Sequence, residues 1–116
     1  MDHLVSTLKA IGDKNRLRIV GLLANKKLCV CELAYILKIT QPSVSKHLKK
    51  LKEAGIIESE QDGFWTNYFL VLNTNSKKED KNLLSVVVNN LSQMPQMKVD
   101  MQASKKADRE KLKCKI

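Results

Sequence analysis

Two cysteines one residue apart, Cys29 and Cys31, and a third at Cys114 are the side chains of this 116-residue sequence best equipped for chemistry. Soft thiolates prefer soft ions, so such a pair suits As(III), Sb(III), Cd(II) or Pb(II) better than Mg(II) or Ca(II). On a regular helix, residues i and i+2 point about 200° apart. Both sulfurs therefore converge on one ion only if the pair lies at the frayed start of a helix or in the loop before it. Cys29 and Cys31 sit too close in sequence for an unstrained mutual disulfide, and three cysteines cannot all pair, so reduced thiols in a reducing compartment are expected. With two histidines, His3 and His47, the sequence has no His/Asp/Glu cluster, Gly-rich phosphate loop or Ser/His/Asp spacing. The expectation is a non-enzyme that requires no cofactor.

Positive charge is the second chemical resource. Lys+Arg number 21 against 12 Asp+Glu, a net charge of +9 that attracts phosphates, acidic partners or anionic surfaces. Between Thr40 and Gly55, the helical spacing of Val44, Leu48 and Leu51 leaves Ser43, Lys46, Lys49 and Lys50 on the opposite ridge. A helix with such a face suits the DNA major groove, where Gln and Ser bond to base edges and Lys reaches guanine or phosphate. A merely solvated lysine face is the plainer alternative. No apolar run approaches the roughly 20 residues that span a bilayer, and Met1-Asp2-His3 opens no basic-then-apolar leader, so a cytoplasmic protein without a membrane partner is expected.

These residues must be held by the elements around them. Leu4, Leu8 and Ile11 predict a first short helix ending at Gly12, and Asp13 caps a second bearing Leu17, Val20 and Leu23. Glu32 opens a third helix with Leu33, Ile36 and Leu37 inward, ending about Lys38. Thr40 caps the fourth, Pro42 sits in its first turn, and Gly55 stops it. Asp62-Gly63 predicts a hairpin turn between two strands, the second running from Phe64 to Leu72. Ser76 and Glu79 form a capping box for a fifth helix that continues to Pro95. The fold class is mainly α with a small β-hairpin: a winged helix-turn-helix. Residues 1–95 form the DNA-binding and dimerisation domain, and residues 96–116 a basic C-terminal tail, flexible or marginally helical from near Ser104. Leu84, Val87, Val88 and Leu91 with Leu4, Leu8 and Ile11 offer more apolar stripe than so small a core absorbs, which predicts a homodimer. The alternative is that they cover one monomer's core.

From Leu8 to Leu72 the chain resembles the ArsR/SmtB family of metal-responsive repressors. The likeness is carried by Ile11-Gly12-Asp13 with Arg16-Leu17-Arg18-Ile19, Leu28-Cys29-Val30-Cys31-Glu32-Leu33, and Gln41-Pro42-Ser43-Val44-Ser45-Lys46-His47-Leu48. It continues through Leu51, Glu53-Ala54-Gly55-Ile56-Ile57, Gly63, Trp65 and Tyr68. The resemblance implies a homodimeric repressor, its first and last helices at the dimer interface and its fourth helix reading operator DNA. Carried over, it points to Gln41, Ser43, Ser45, Lys46 and His47 for DNA contact, to which the basic ridge adds Lys50.

The segment around Cys29 and Cys31 is similar to the arsenite-sensing motif of arsenical-resistance repressors, except that Ala34 stands where a third cysteine commonly follows. Cys114 is the candidate third ligand. An N-terminal cysteine pair, which the resemblance associates with Cd(II) and Pb(II) sensing, is missing, and Asn89 and Asn90 stand in the region of the family's zinc-binding pairs. The wing departs from the family too: Glu60, Asp62 and Phe64 stand where basic residues are usual. As(III) or Sb(III) is therefore the expected effector, Cd(II) or Pb(II) the lesser alternative. Two other readings stay open: a thiol-redox-sensing repressor of the same fold, and an effector-independent nucleic-acid-binding winged helix.

Overall fold

Local signals place most of the elements. Asp13, extended at φ −138°, accepts hydrogen bonds from the backbone N–H groups of Asn15 and Arg16, which starts α2 (Lys14–Leu23) just after α1 (Asp2–Ile11). Thr40 does the same for α4 (Gln41–Glu53) by accepting from the Ser43 N–H. Between α3 (Val30–Leu37) and α4 the chain turns at Lys38, a non-glycine residue in the left-handed region at φ 58°. The computed structural model describes residues 1–73 and 78–112. Ser76 and Cys114 lie outside the described residues, so the capping-box reading and the tail thiol have no structural counterpart here.

After Gly55 come strands β1 (Ile57–Asp62) and β2 (Trp65–Leu70), antiparallel, with Ile57 opposite Leu70 and Asp62 opposite Trp65. Gly63 and Phe64 make the two-residue turn, and Gly63 takes the positive φ (61°) that such a turn needs at its first position. Leu28 pairs with Tyr68 through two backbone hydrogen bonds of 2.9 and 3.3 Å, which fastens the residue before Cys29 to the hairpin. A short 3-10 turn, Val71–Asn73, leads toward α5 (Lys78–Ser92). Ile19, Leu22, Leu23, Leu33, Leu48 and Leu51 centre the core, joined by Ile57 and Leu70 of the hairpin and Leu84 of α5.

The C-terminal region differs from the expected flexible or marginally helical tail. Residues Pro95–Lys106 form a further helix, α6, packed against α2 and α3 with Met97, Asp100 and Ser104 buried. Asp100 is 1% exposed and accepts two hydrogen bonds of 2.9 Å from the Arg18 guanidinium and a third from Gln96. This two-pronged pair is strong because the planar fork of arginine matches the carboxylate. The methyl of Met97 lies where a Cβ on Gly21 would stand, so the bare backbone at Gly21 lets α6 approach α2 closely. No helix among the described residues is long and apolar enough to cross a membrane.

Candidate cysteine site and nucleic-acid interface

Cys29 is the N-cap of α3, in extended backbone (φ −97°, ψ 172°), and Cys31 is the second residue of the helix proper. That break in helical geometry brings the two side chains together: their sulfurs are 3.6 Å apart. Both are buried, Cys29 at 2% and Cys31 at 4% exposure. The backbone N–H of Cys29 donates to Glu32 Oε1 at 3.0 Å, so the carboxylate caps the first turn from inside the helix. Burial pushes the Cys29 thiol above its ordinary pKa. A hydrogen bond to the Glu32 side chain and that carboxylate's charge act the same way, against the Glu32 backbone N–H and the Arg109 charge.

Among the described residues no third His, Cys, Asp or Glu completes a metal-binding group with the pair. The donor set they contain is thus two sulfurs, a fit for a thiophilic ion.

Helix α3 packs on α4, which buries Val44, Leu48 and Leu51 and turns its other side to solvent. Of the six candidate contact residues, Gln41, Ser45, Lys46 and Lys50 are exposed. Ser43 is half-buried, its hydroxyl oxygen accepting a 2.9 Å hydrogen bond from Thr40. His47 is half-buried as well, with Nδ1 3.4 Å from Nη1 of Arg16. Arg16 in turn donates from Nε to the Ala10 carbonyl at 2.5 Å, so its position is fixed within the fold. Asp13 belongs to the same corner. Burial raises its pKa, but the Arg16 N–H, the charges of His47 and Arg16 and the Asn15 N–H outweigh that and hold it below the ordinary value.

The acidic wing is less repulsive to phosphate than its sequence reads, since Glu60 pairs with Lys27 at 2.6 Å and Asp62 lies 3.9 Å from Arg109. Arg109 belongs to the basic C-terminal segment, residues 96–116, and Lys27 follows the end of α2. Neither partner lies near its carboxylate in the chain, so no local pattern announces the pairing.

The family model of the bacterial regulatory protein, arsR family, matches residues 13–59, from the cap of α2 into β1. An uncharacterized HTH-type transcriptional regulator of Methanocaldococcus jannaschii is 47% identical over 64 residues, 54% of this chain and 72% of that protein. The chain belongs to the ArsR family. Two further relatives match over 63 residues, 53% of this chain: an arsenic resistance transcriptional regulator of Pseudomonas putida (43% identical, 49% of its length) and a cadmium resistance transcriptional regulatory protein of Listeria innocua (40%, 53% of its length). The match thus spans about half the length of these two proteins. HlyU from Vibrio cholerae superposes with a TM-score of 0.67 at 27% identity, over 79% of this chain and 95% of that one. A homodimeric winged helix-turn-helix DNA-binding domain from Mycobacterium bovis, a possible ArsR-family regulator, shares the fold at TM-score 0.65 and 23% identity, covering 78% and 80% of the two chains.

In this member of the family the apolar stripes named for dimerisation divide. Ile11, Leu84 and Leu91 are buried within the chain, and Val87 and Val88 are half-buried. Leu4, Val5 and Leu8 of α1 and Val86 of α5 remain exposed.

Proposed function

We propose that the chain acts as a homodimeric cytoplasmic transcriptional repressor that leaves double-stranded operator DNA when As(III), or Sb(III) in its place, binds the thiolates of Cys29 and Cys31. The observation that carries this reading is the 3.6 Å separation of the two buried sulfurs at the first turn of α3, the helix on which α4 rests. Holding both sulfurs on one ion constrains that turn, and any rotation of α3 is felt by α4. In this reading Gln41, Ser43, Ser45, Lys46 and Lys50 contact DNA directly, and His47 does so from a ring steadied by Arg16. Cys114 is the proposed third ligand. The exposed leucines of α1 and Val86 of α5 meet their counterparts in a second copy, an arrangement that would present two copies of α4 to successive major grooves.

Support comes from the arsenic resistance regulator among the relatives and from the homodimeric structural neighbour. The test is release of a fluorescent promoter duplex from reduced protein on arsenite addition, for wild type, Cys29→Ser and Cys31→Ser. Wild type should release and both variants should stay bound. Specific binding that ignores arsenite in wild type would remove the effector and leave the repressor.

A second reading starts from the same pair of sulfurs 3.6 Å apart: the cysteines sense oxidation, and a thiol oxidant in place of arsenite sets the affinity for DNA. Diamide under arsenite-free conditions separates the two, since only a redox sensor responds to it and recovers with dithiothreitol.

A further inference from the structure

After α6 the chain makes one turn, Leu112 N–H bonding to the Asp108 carbonyl at 2.9 Å, and this turn delivers Arg109 into the angle between α3 and the wing. Arg109 Nη2 donates to Glu32 Oε1 at 2.9 Å and to Asn67 Oδ1 at 2.6 Å. Its guanidinium carbon sits 5.0 Å from the centre of the Trp65 ring, and Nη1 is 3.9 Å from Asp62. Glu32 and Asn67 are 6% and 7% exposed, so these bonds are shielded from water and from screening ions. The Glu32 oxygen that receives Arg109 also receives the backbone N–H of Cys29. A continuous path therefore runs from the cap of the cysteine helix through one carboxylate oxygen and one guanidinium to two residues of β2.

We propose that Arg109 is a positioning residue that couples the cysteine loop to the wing, the turn after α6 serving as the brace through which a change at Cys29 and Cys31 reaches β1 and β2. The inference rests on the proposed repressor reading for the signal it carries, but the mechanical link stands apart from it. Arginine suits the task because one guanidinium nitrogen, Nη2, bonds both acceptors while the flat face of the group covers an aromatic ring, a combination that an ammonium group cannot match. The Leu28–Tyr68 pairing fixes the backbone of β2 beside the cysteines, and Arg109 fixes the side-chain layer, Asn67 and Trp65, above it.

Trp65 is the single tryptophan of the chain, and its buried Nε1–H has no acceptor among the described residues, so its emission reports water entering when the brace opens. The experiment uses the full reduced chain with Arg109→Gln, Arg109→Lys, Glu32→Gln and the Glu32→Gln/Arg109→Gln double variant, each checked for folding by circular dichroism. Emission is read alongside operator affinity with and without arsenite. Arg109→Gln should shift emission to the red and reduce arsenite-driven release about fivefold or more, toward none, with Arg109→Lys between it and wild type. Glu32→Gln should shift emission when Arg109 is present and leave it unchanged in the Arg109→Gln background. Equal shifts in both backgrounds, or an unaltered release ratio in Arg109→Gln, would overturn the coupling. If wild type fails to respond to arsenite, the effector reading falls and the emission cycle alone decides the brace.

Discussion

At the scale of single residues, proton balance separates the candidate effectors. Arsenous acid condensing with two thiols forms two As–S bonds and expels two waters, with no proton released. A divalent cation must displace both thiol protons, and the burial that pushes the Cys29 thiol up makes that displacement costlier. The reduced protein should therefore bind arsenite with nearly constant affinity between about pH 6 and 8, while Cd(II) affinity climbs by roughly tenfold per pH unit for each proton displaced. Calorimetry in buffers of different ionisation enthalpy checks this, and equal proton release for both ions would refute it. The shift has a linked effect on folding. A thiol whose pKa is raised in the fold contributes stability that is whole below the unfolded pKa and lost as pH rises through the folded one. Reduced protein should accordingly lose stability on the alkaline side.

At the scale of elements, the sequence was most legible where one residue's chemistry sets a local structure. Asp13 and Thr40 announce caps, Pro42 a first turn and Gly55 a stop, and the structure has α2 and α4 where these place them. The convergence of Cys29 and Cys31 was legible as a condition, namely that the pair stand at a helix start, and Cys29 as the N-cap of α3 meets it. Helix α6 was not legible, because part of its buried face is polar: Asp100 and Ser104 point inward with Met97, so no apolar stripe appears. What admits Asp100 to the interior is Arg18, 82 positions away, and no local window contains both. Breaking a buried pair strands the remaining charge. Asp100→Ala should thus cost about 3 to 5 kcal/mol in urea unfolding and detach α6. A loss below about 1 kcal/mol would mean that α6 contributes little to the fold.

At the scale of the whole molecule, a net charge of +9 and an exposed basic face on α4 favour DNA, and the apolar side chains left on α1 and α5 favour a second copy of the chain. The wing is less repulsive to phosphate than its acidic sequence suggests, since Lys27 and Arg109 offset Glu60 and Asp62. Leu8→Glu, which places a charge in the proposed contact without touching the core, should convert a dimer to a monomer in sedimentation velocity and weaken operator binding by at least tenfold, since each half-site then binds alone. An unaltered sedimentation coefficient would move the interface elsewhere. The central claim is that operator and effector oppose each other through α3. It is tested most directly by the affinity of the reduced wild-type protein for its operator, measured by anisotropy without arsenite and at saturating arsenite. A coupling of about 1 to 3 kcal/mol predicts an affinity roughly 5- to 150-fold weaker with arsenite, and operator must weaken arsenite binding by the same factor. Equal operator affinity in the two conditions, with arsenite bound, would contradict the account.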